Sequence, residues 1–329
     1  MINTNQFDSV VGQAEAKKKL GFYLHSYQHT RIMPNLMFCA QKGQGKSMLA
    51  KETAKQLVAY GEDGKPLLKE DGSIKKKTWH EINATSLKTL NGFIRGLIAQ
   101  HVVDKDCTVF IDEAHNLKKD ITQALLTMLN PNETNRTQYV HDDYVCDIDF
   151  RRQTFIFATS ESHTIFAPLM NRLTRVDLQS YTLSDLAEIT QKGAPEVNFT
   201  EGVLENVAKV VRSNARQCIK MAADIRTYLC GKTTFGRKEW AGLTDVLSIK
   251  PLGLSPIEID IMRLMQHRPE GSSLTNLAAR TGLSREAIQK DFESFLQNCG
   301  FMEISAGKGR HLTAQGYQYL KDLDAGAKA

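Results

Sequence analysis

The segment Gly43-Gln44-Gly45-Lys46-Ser47 constrains this chain more than any other part of its sequence. It lies between a short apolar run, Asn35–Cys39, and a stretch of helical periodicity, Met48–Ala59, with Leu49, Ala54 and Leu57 on one face. A loop ending in Gly-Lys-Ser between a strand and a helix has the form of a phosphate-binding loop. Its successive backbone N–H groups can curl around phosphate oxygens, and the helix N-terminus adds partial positive charge. In that geometry Lys46 neutralises β- and γ-phosphate charge and Ser47 ligates magnesium. The first position is Ala40 where the pattern has glycine. Its small Cβ is expected to be tolerated, with Gly43 supplying freedom inside the loop.

A second feature supplies the other half of such a site. Thr108–Asp112 is a β-branched apolar run followed by Glu113, the pattern of a buried parallel strand ending in two carboxylates. Asp112 is placed for the magnesium shell and Glu113 for polarising the attacking water. Thr159 and Ser160 end the next buried run, where a polar side chain can orient that water. Arg172, at the far end of the same domain, is a candidate arginine finger for a neighbouring subunit's γ-phosphate. Arg216 opens a helix of the following helical region and can touch the same phosphate. His115 is read as structural rather than as a ligand. Strands alternating with helices imply an α/β domain around a parallel sheet.

At about 100–200 residues per domain, 329 residues suggest two or three domains. The hydrophobic (41%) and charged (24%) shares are ordinary for a globular chain and exclude collagen-like or wholly disordered readings. No run approaches the roughly 20 apolar residues of a membrane helix. The first residues lack the pattern of a secretory signal. The six cysteines are scattered without metal or disulfide spacing, which fits reduced thiols and a cytoplasmic protein. A net charge of +5 permits a nucleic-acid partner without requiring one.

Residues 59–80 hold two Asp-Gly pairs and the lysine run Lys75–Lys77. They predict a surface insertion, two-stranded, with the lysines on a solvated face. Residues 138–150 predict a hairpin turning at Asp142–Asp143. Beyond Leu178 the texture becomes helical, from Ser184 to Cys230, and Gly231–Pro251 reads as a connector. Residues 251–322 then read as short helices followed by a strand, a glycine-rich tip and a strand, with a tail at 323–329. Leu274–Ile288 has helix-turn-helix patterning, with the turn at Gly282, Ser284 as N-cap, and Arg285 and Lys290 available to phosphate. Lys308, Gly309 and Arg310 form the basic tip of a wing from which both cations are expected to project onto DNA backbone. Such modules also serve as protein-binding domains, and that alternative stays open.

With these motifs in place, the chain resembles the AAA+ ATPases, and within them the RuvB family of Holliday-junction branch-migration motors. The resemblance runs through Val11-Gly12-Gln13, Asp112-Glu113-Ala114-His115, Ala158-Thr159-Ser160, Ala167-Pro168-Leu169 and Tyr181–Ile189. It implies an AAA+ sheet domain (1–179), an all-helical lid (180–250) and a winged-helix domain (251–322). It further implies ATP and Mg2+ as cofactors, and Val11, Gly12 and Gln13 against the adenine. Gly43, Gly45, Lys46, Ser47 and Asp112 would hold phosphate and metal. Glu113 would be the base, Ser160 the first sensor, Arg172 the finger and Arg216 the second sensor. The expected assembly is a ring, a hexamer, with the active site between subunits and double-stranded or junction DNA as partner. In this family a hairpin like 138–150 meets a RuvA-like partner; the other reading packs Tyr139, Val140, Tyr144 and Val145 on their own domain. Departures are Ala40-Gln41-Lys42 where the family has Gly-Pro-Pro, the 59–80 insertion, and Ser213-Asn214-Ala215 before Arg216. The function expected is ATP-driven movement of duplex DNA. The rivals are an AAA+ loader or remodeller that does not translocate, and a DNA-binding regulator with a decayed nucleotide fold.

Overall fold

Leu36-Met37-Phe38-Cys39 forms strand β1 (Leu36–Cys39) with every residue buried, as a strand covered on both faces requires. The computed structural model describes residues 4–142, 144–200 and 202–326. Further strands are β2 (Thr78–Asn83), β3 (Cys107–Asp112), β4 (Arg136–His141), β5 (Tyr144–Asp149), β6 (Gln153–Thr159) and β7 (Thr174–Asp177). Five of them form a parallel sheet in the order β2-β3-β6-β1-β7. Strand β6 therefore enters between β1 and β3. The register Cys39↔Thr159 and Ile111↔Phe157 brings the C-terminal ends of all three level.

Alternate residues of β1 feed different cores. Leu36 and Phe38 pack with Leu20, Leu24, Tyr27 and Leu49 from helices Ala14–Thr30 and Lys46–Ala54. Met37 and Cys39 pack with Phe93, Ile98 and Leu125 on the other face, under the helical run 90–102 and helix Lys119–Met128.

The 59–80 insertion has three arms rather than two, because both Asp-Gly pairs turn. Gly64 (φ +82°) and Gly72 (φ +78°) take the left-handed conformation. Asp63 and Asp71 accept the N–H groups of Lys65 and Ser73 at 3.0 and 2.8 Å. Antiparallel bridges at Val58↔Lys76, Tyr60↔Pro66 and Leu68↔Ile74 tie the arms. The lysine run does not all face solvent. The Lys77 backbone N–H bonds Leu57 O at 2.9 Å just before β2 begins. Its side chain is buried, donating to Thr154 Oγ1 at 3.1 Å and lying 5.1 Å from the Tyr27 ring centroid.

The hairpin is β4 and β5, with Asp142 left-handed at the turn; Asp143 lies outside the described residues. Val140 and Val145 face each other and are exposed, whereas Tyr139 and Tyr144 pack partly against the sheet core.

The chain divides into two compact units, Met1–Pro195 with Ser213–Ala223, and Glu196–Arg212 with Asp224–Ala329. The segment 180–250, expected as one lid, is shared between them. In the second unit β8 (Asn198–Phe199) pairs in parallel with β9 (Thr234–Phe235), so this region is not purely helical. From residue 251 on, that unit is the winged-helix fold. Helices Pro256–Gln266 and Leu274–Thr281 and the helical run 285–298 precede the antiparallel pair β10 (Met302–Ser305) and β11 (Gly309–Leu312). Ile261, Met262, Leu277, Ile288, Leu296 and Phe301 form its core. Gly282 caps Leu274–Thr281 in the left-handed conformation, and the Ser284 hydroxyl accepts the Ala287 N–H at 3.1 Å. The final helix, Ala314–Gly326, runs through most of the expected tail; 327–329 lie outside the described residues. Among the described residues no helix is long and apolar enough to cross a membrane.

Candidate active site

In an open parallel sheet the loops leaving the carboxyl ends of the strands build the binding crevice. The loop after β1 takes its left-handed turns at Gly43 (φ +81°) and Gly45 (φ +87°), and Ala40 is not among the described residues of positive φ. A methyl group at the loop's first position is thus accommodated. The two glycines are needed for a further reason, close approach. A Cβ on Gly43 would fall 2.0 Å from Asn214 Oδ1, and one on Gly45 would fall 2.5 Å from the Tyr181 hydroxyl. Ala215 N–H donates to Gly43 O at 3.0 Å, Gln44 Nε2 to Ser213 O at 2.9 Å, and Tyr181 Oη to Gln44 O at 3.1 Å.

Lys46 is buried, and its Nζ donates to Ala40 O at 2.8 Å and Gln41 O at 3.1 Å. Burial pushes its pKa down, against the opposing pull of Glu113 and Asp112. The Ser47 hydroxyl donates to Asp112 Oδ2 at 3.3 Å. Asp112 Oδ1 accepts the Glu113 N–H at 2.8 Å, which fixes the carboxylate at the end of β3. A hydroxyl and a carboxylate converging in this way form a hard oxygen donor set that fits magnesium. Because β6 lies between the other two strands, Ser160, one residue past its end, stands beside the acidic pair. Its hydroxyl donates to Glu113 Oε2 at 3.2 Å. His115 Nδ1 lies 3.1 Å from Thr159 Oγ1 and 3.4 Å from the same Glu113 oxygen.

Lys46, Ser47, Asp112 and Glu113 open onto a cleft of about 590 Å³. Gly43, Gly45, Lys46, Ser47, Asp112 and Glu113 line its polar end, and Val10, Val11, Tyr181, Ile189 and Ile219 give it an apolar wall; Lys192 and Arg216 also line it. Of the three residues expected against the adenine, only Val11 lines the cleft. Gln13 is turned into the fold, exchanging hydrogen bonds of 2.8 and 2.9 Å with the Gln179 backbone. Gly12 is packed against the Asp185 carboxyl, which a Cβ would approach to 2.9 Å. Asn214, Tyr181 and Ile219 were not singled out as site residues by motif. The helical spacing of Ile219 from Arg216 was the available signal.

Arg172 is not brought to the cleft. Its Nε donates to Leu126 O at 2.9 Å and its Nη1 to Pro168 O at 2.8 Å. At the wing, Lys308 is exposed and Gly309 is left-handed (φ +74°). Arg310 does not project as expected. Its guanidinium makes bonds of 2.7 and 3.2 Å to the Glu293 carboxylate, and the pair is 14% and 6% exposed. The reason is local: the Arg310 backbone exchanges hydrogen bonds of 2.8 Å with Ser272, which adds a third segment to the wing and holds Arg310 at its base.

Two families match parts of the chain. Residues 36–181 match the ATPase family associated with various cellular activities (AAA), and residues 251–321 match the RuvB C-terminal winged helix domain. Similar curated proteins include the Holliday junction branch migration complex subunit RuvB of Wolbachia sp. subsp. Brugia malayi (strain TRS). It is 23% identical, over 97% of this chain and 93% of the relative. The subunit of the same name from Campylobacter jejuni (strain RM1221) is 24% identical over 97% and 91%. Among solved structures, the Thermotoga maritima RuvB Holliday junction branch migration motor superposes with a TM-score of 0.71 at 23% identity, over 96% of each chain. A single-site mutant of the same protein gives 0.72 at 22% identity over 98% of each.

Proposed function

This chain is a RuvB-like AAA+ ATPase, and from that premise we propose that it is an ATP-driven motor that moves duplex DNA through Holliday junctions. The observation that carries the reading is one continuous set of contacts, Ser47 to Asp112, Asp112 to Glu113 and Glu113 to Ser160, with Lys46, Ser47, Asp112 and Glu113 lining a single cleft. The same chain bears a winged-helix domain of the RuvB type. We read 180–250 as a lid whose Arg216 senses nucleotide, and 251–322 as the DNA module. The assembly is a homo-oligomeric ring, a hexamer, in the cytoplasm. Val140 and Val145 are the exposed apolar pair through which the β4–β5 hairpin would meet a RuvA-like partner.

In hydrolysis, the backbone N–H groups of the Gly43–Lys46 turn cradle phosphate oxygens. Lys46, held near Ala40 and Gln41 by its carbonyl contacts, turns to the phosphates as a point charge. Ser47 and Asp112 are the residues that would hold magnesium, which when bound neutralises phosphate charge. Glu113 accepts the proton of the attacking water. Arg216 adds positive charge from the helix side of the cleft.

The test is Glu113→Gln. It should leave nucleotide binding intact and lower turnover by about a hundredfold or more, because it removes the base and spares the magnesium carboxylate. Wild-type turnover by this variant would refute the assignment. A second reading, an AAA+ loader or remodeller without translocation, draws support from the winged-helix domain. Residues 251–322 hold eight Lys and Arg against eight Asp and Glu, and one of the two wing cations is internally paired. ATP-dependent branch migration of a synthetic four-way junction would favour the motor. ATP hydrolysis without strand movement, in the presence of its DNA partner, would favour the loader.

A further inference from the structure

Glu113 is in the left-handed conformation (φ 52°, ψ 46°) although it is not glycine. That conformation costs an ordinary residue about 1 kcal/mol or more, so the surroundings must hold it. It opens a single tight turn, Ala114–Asn116, closed by Asn116 N–H to Glu113 O at 2.9 Å and Leu117 N–H to Ala114 O at 3.1 Å. Ala114 is anchored in the sheet core, and the turn carries the next side chain, His115, back over the end of β6.

There the imidazole lies between two carboxylates. Nδ1 is 3.4 Å from Glu113 Oε2, and Nε2 is 3.8 Å from Glu161 Oε1. The Nδ1 edge is fixed by Thr159 Oγ1 at 3.1 Å, a fully buried hydroxyl that itself accepts the Glu161 N–H at 3.0 Å. Its surroundings include Leu117, Thr122, Ile165 and Phe166, which with His115 line a cleft of about 250 Å³. Ser160 Oγ also donates to Glu113 Oε2. Both contacts fall on one oxygen of the carboxylate. The Ser160 contact is a hydrogen bond and the His115 contact a 3.4 Å approach of the imidazole edge, so Oε2 is the occupied oxygen and its neighbour Oε1 the one left open to a proton.

We propose that His115 is a positioning residue for the base. Through Nδ1, and together with Ser160, it pins Oε2 of Glu113, so that Oε1 is the oxygen that takes the proton from the attacking water. The proposal rests on the reading of Glu113 as base and adds which of its two oxygens acts and what selects it.

Steady-state ATPase kinetics on the full chain test this with three single variants and one double variant. His115→Ala should lower kcat roughly tenfold or more, with KM for ATP changed by less than about twofold, because orientation is lost and nucleotide contacts are not. His115→Asn places an amide nitrogen where Nδ1 stands and should recover most of the rate. His115→Gln places its amide at the Nε2 position and should not. Adding His115→Ala to Glu113→Gln should cost nothing further, since both act through one carboxylate. The proposal is overturned if the Asn and Gln variants have the same kcat, if the alanine variant turns over at the wild-type rate, or if the losses add. Should the alanine variant fail to fold, the comparison of Asn with Gln still decides. Wild-type turnover by Glu113→Gln alone is a different result; it removes the base itself.

Discussion

Lysines at the two ends of the sheet show what a side chain's surroundings do that its place in the sequence does not. Lys46 belongs to a motif, and its place was legible from Gly45 and Ser47 on either side. Lys77 ends a run that reads as a solvated face, yet a single backbone hydrogen bond to Leu57 turns it under the sheet. No composition or spacing signals that turn. Burial lowers the Lys77 pKa to about 8, with Cys107, Asp106 and Asp149 pulling the other way. Between about pH 8 and 10.4 the unfolded chain therefore carries a proton on this residue that the folded chain has lost. Stability should rise with pH through that window, by about 3 kcal/mol from this group, and the penalty should be constant below pH 8. Lys77→Met removes the charge at similar length and forfeits a hydrogen bond to Thr154 worth about 1 kcal/mol. We expect it to stabilise the protein at pH 7 by about 1–2 kcal/mol and to flatten the rise. Urea unfolding of both proteins from pH 7 to 10.5 gives the difference curve, in which other titrations cancel. A difference that does not change with pH would mean that Lys77 is not a buried cation.

At the scale of elements, the phosphate loop, the acidic strand and the helix-turn-helix were readable because each needs particular residues at fixed offsets. The wing was readable as strand, tip and strand, but not in its side-chain partners. Glu293 and Arg310 are far apart along the chain, and only the packed helix and wing bring them together. The two tip cations should consequently behave differently. Lys308→Ala should weaken binding to unrelated duplexes alike and reduce the slope of log affinity against log salt by about one. Arg310→Ala should instead cost stability, about 3 kcal/mol, because it strands the buried Glu293 carboxylate. Replacing both partners, Arg310→Met with Glu293→Leu, should restore much of that loss. Salt titrations and thermal melts of the same three proteins separate the roles. An unchanged melting temperature for Arg310→Ala, with a reduced salt slope, would return Arg310 to the DNA surface.

At the scale of the whole molecule, sequence order did not reveal that β6 lies between β1 and β3, and that placement is what puts Ser160 beside Glu113. Nor could it place Arg172, whose role divides the assembly question. Within its own chain the guanidinium binds the carbonyls of Leu126 and Pro168 and is absent from the cleft's lining. If it is the finger of a head-to-tail ring, it acts on the next subunit's phosphate loop. Arg172→Ala should then bind nucleotide but not hydrolyse it, and Lys46→Ala should be inactive through its own loop. Mixed in equal amounts, a random ring pairs a sound loop with a sound finger at about one quarter of its interfaces. Hydrolysis should return to about that fraction of wild type, from two proteins that are each inactive. If Arg172 is instead only a brace between two carbonyls, its alanine variant melts earlier, and the mixture hydrolyses no more than the sum of its parts. Mixing at several ratios, in rings shown to contain both chains, distinguishes the cases. Recovery that peaks at the equal mixture requires a site built from two subunits.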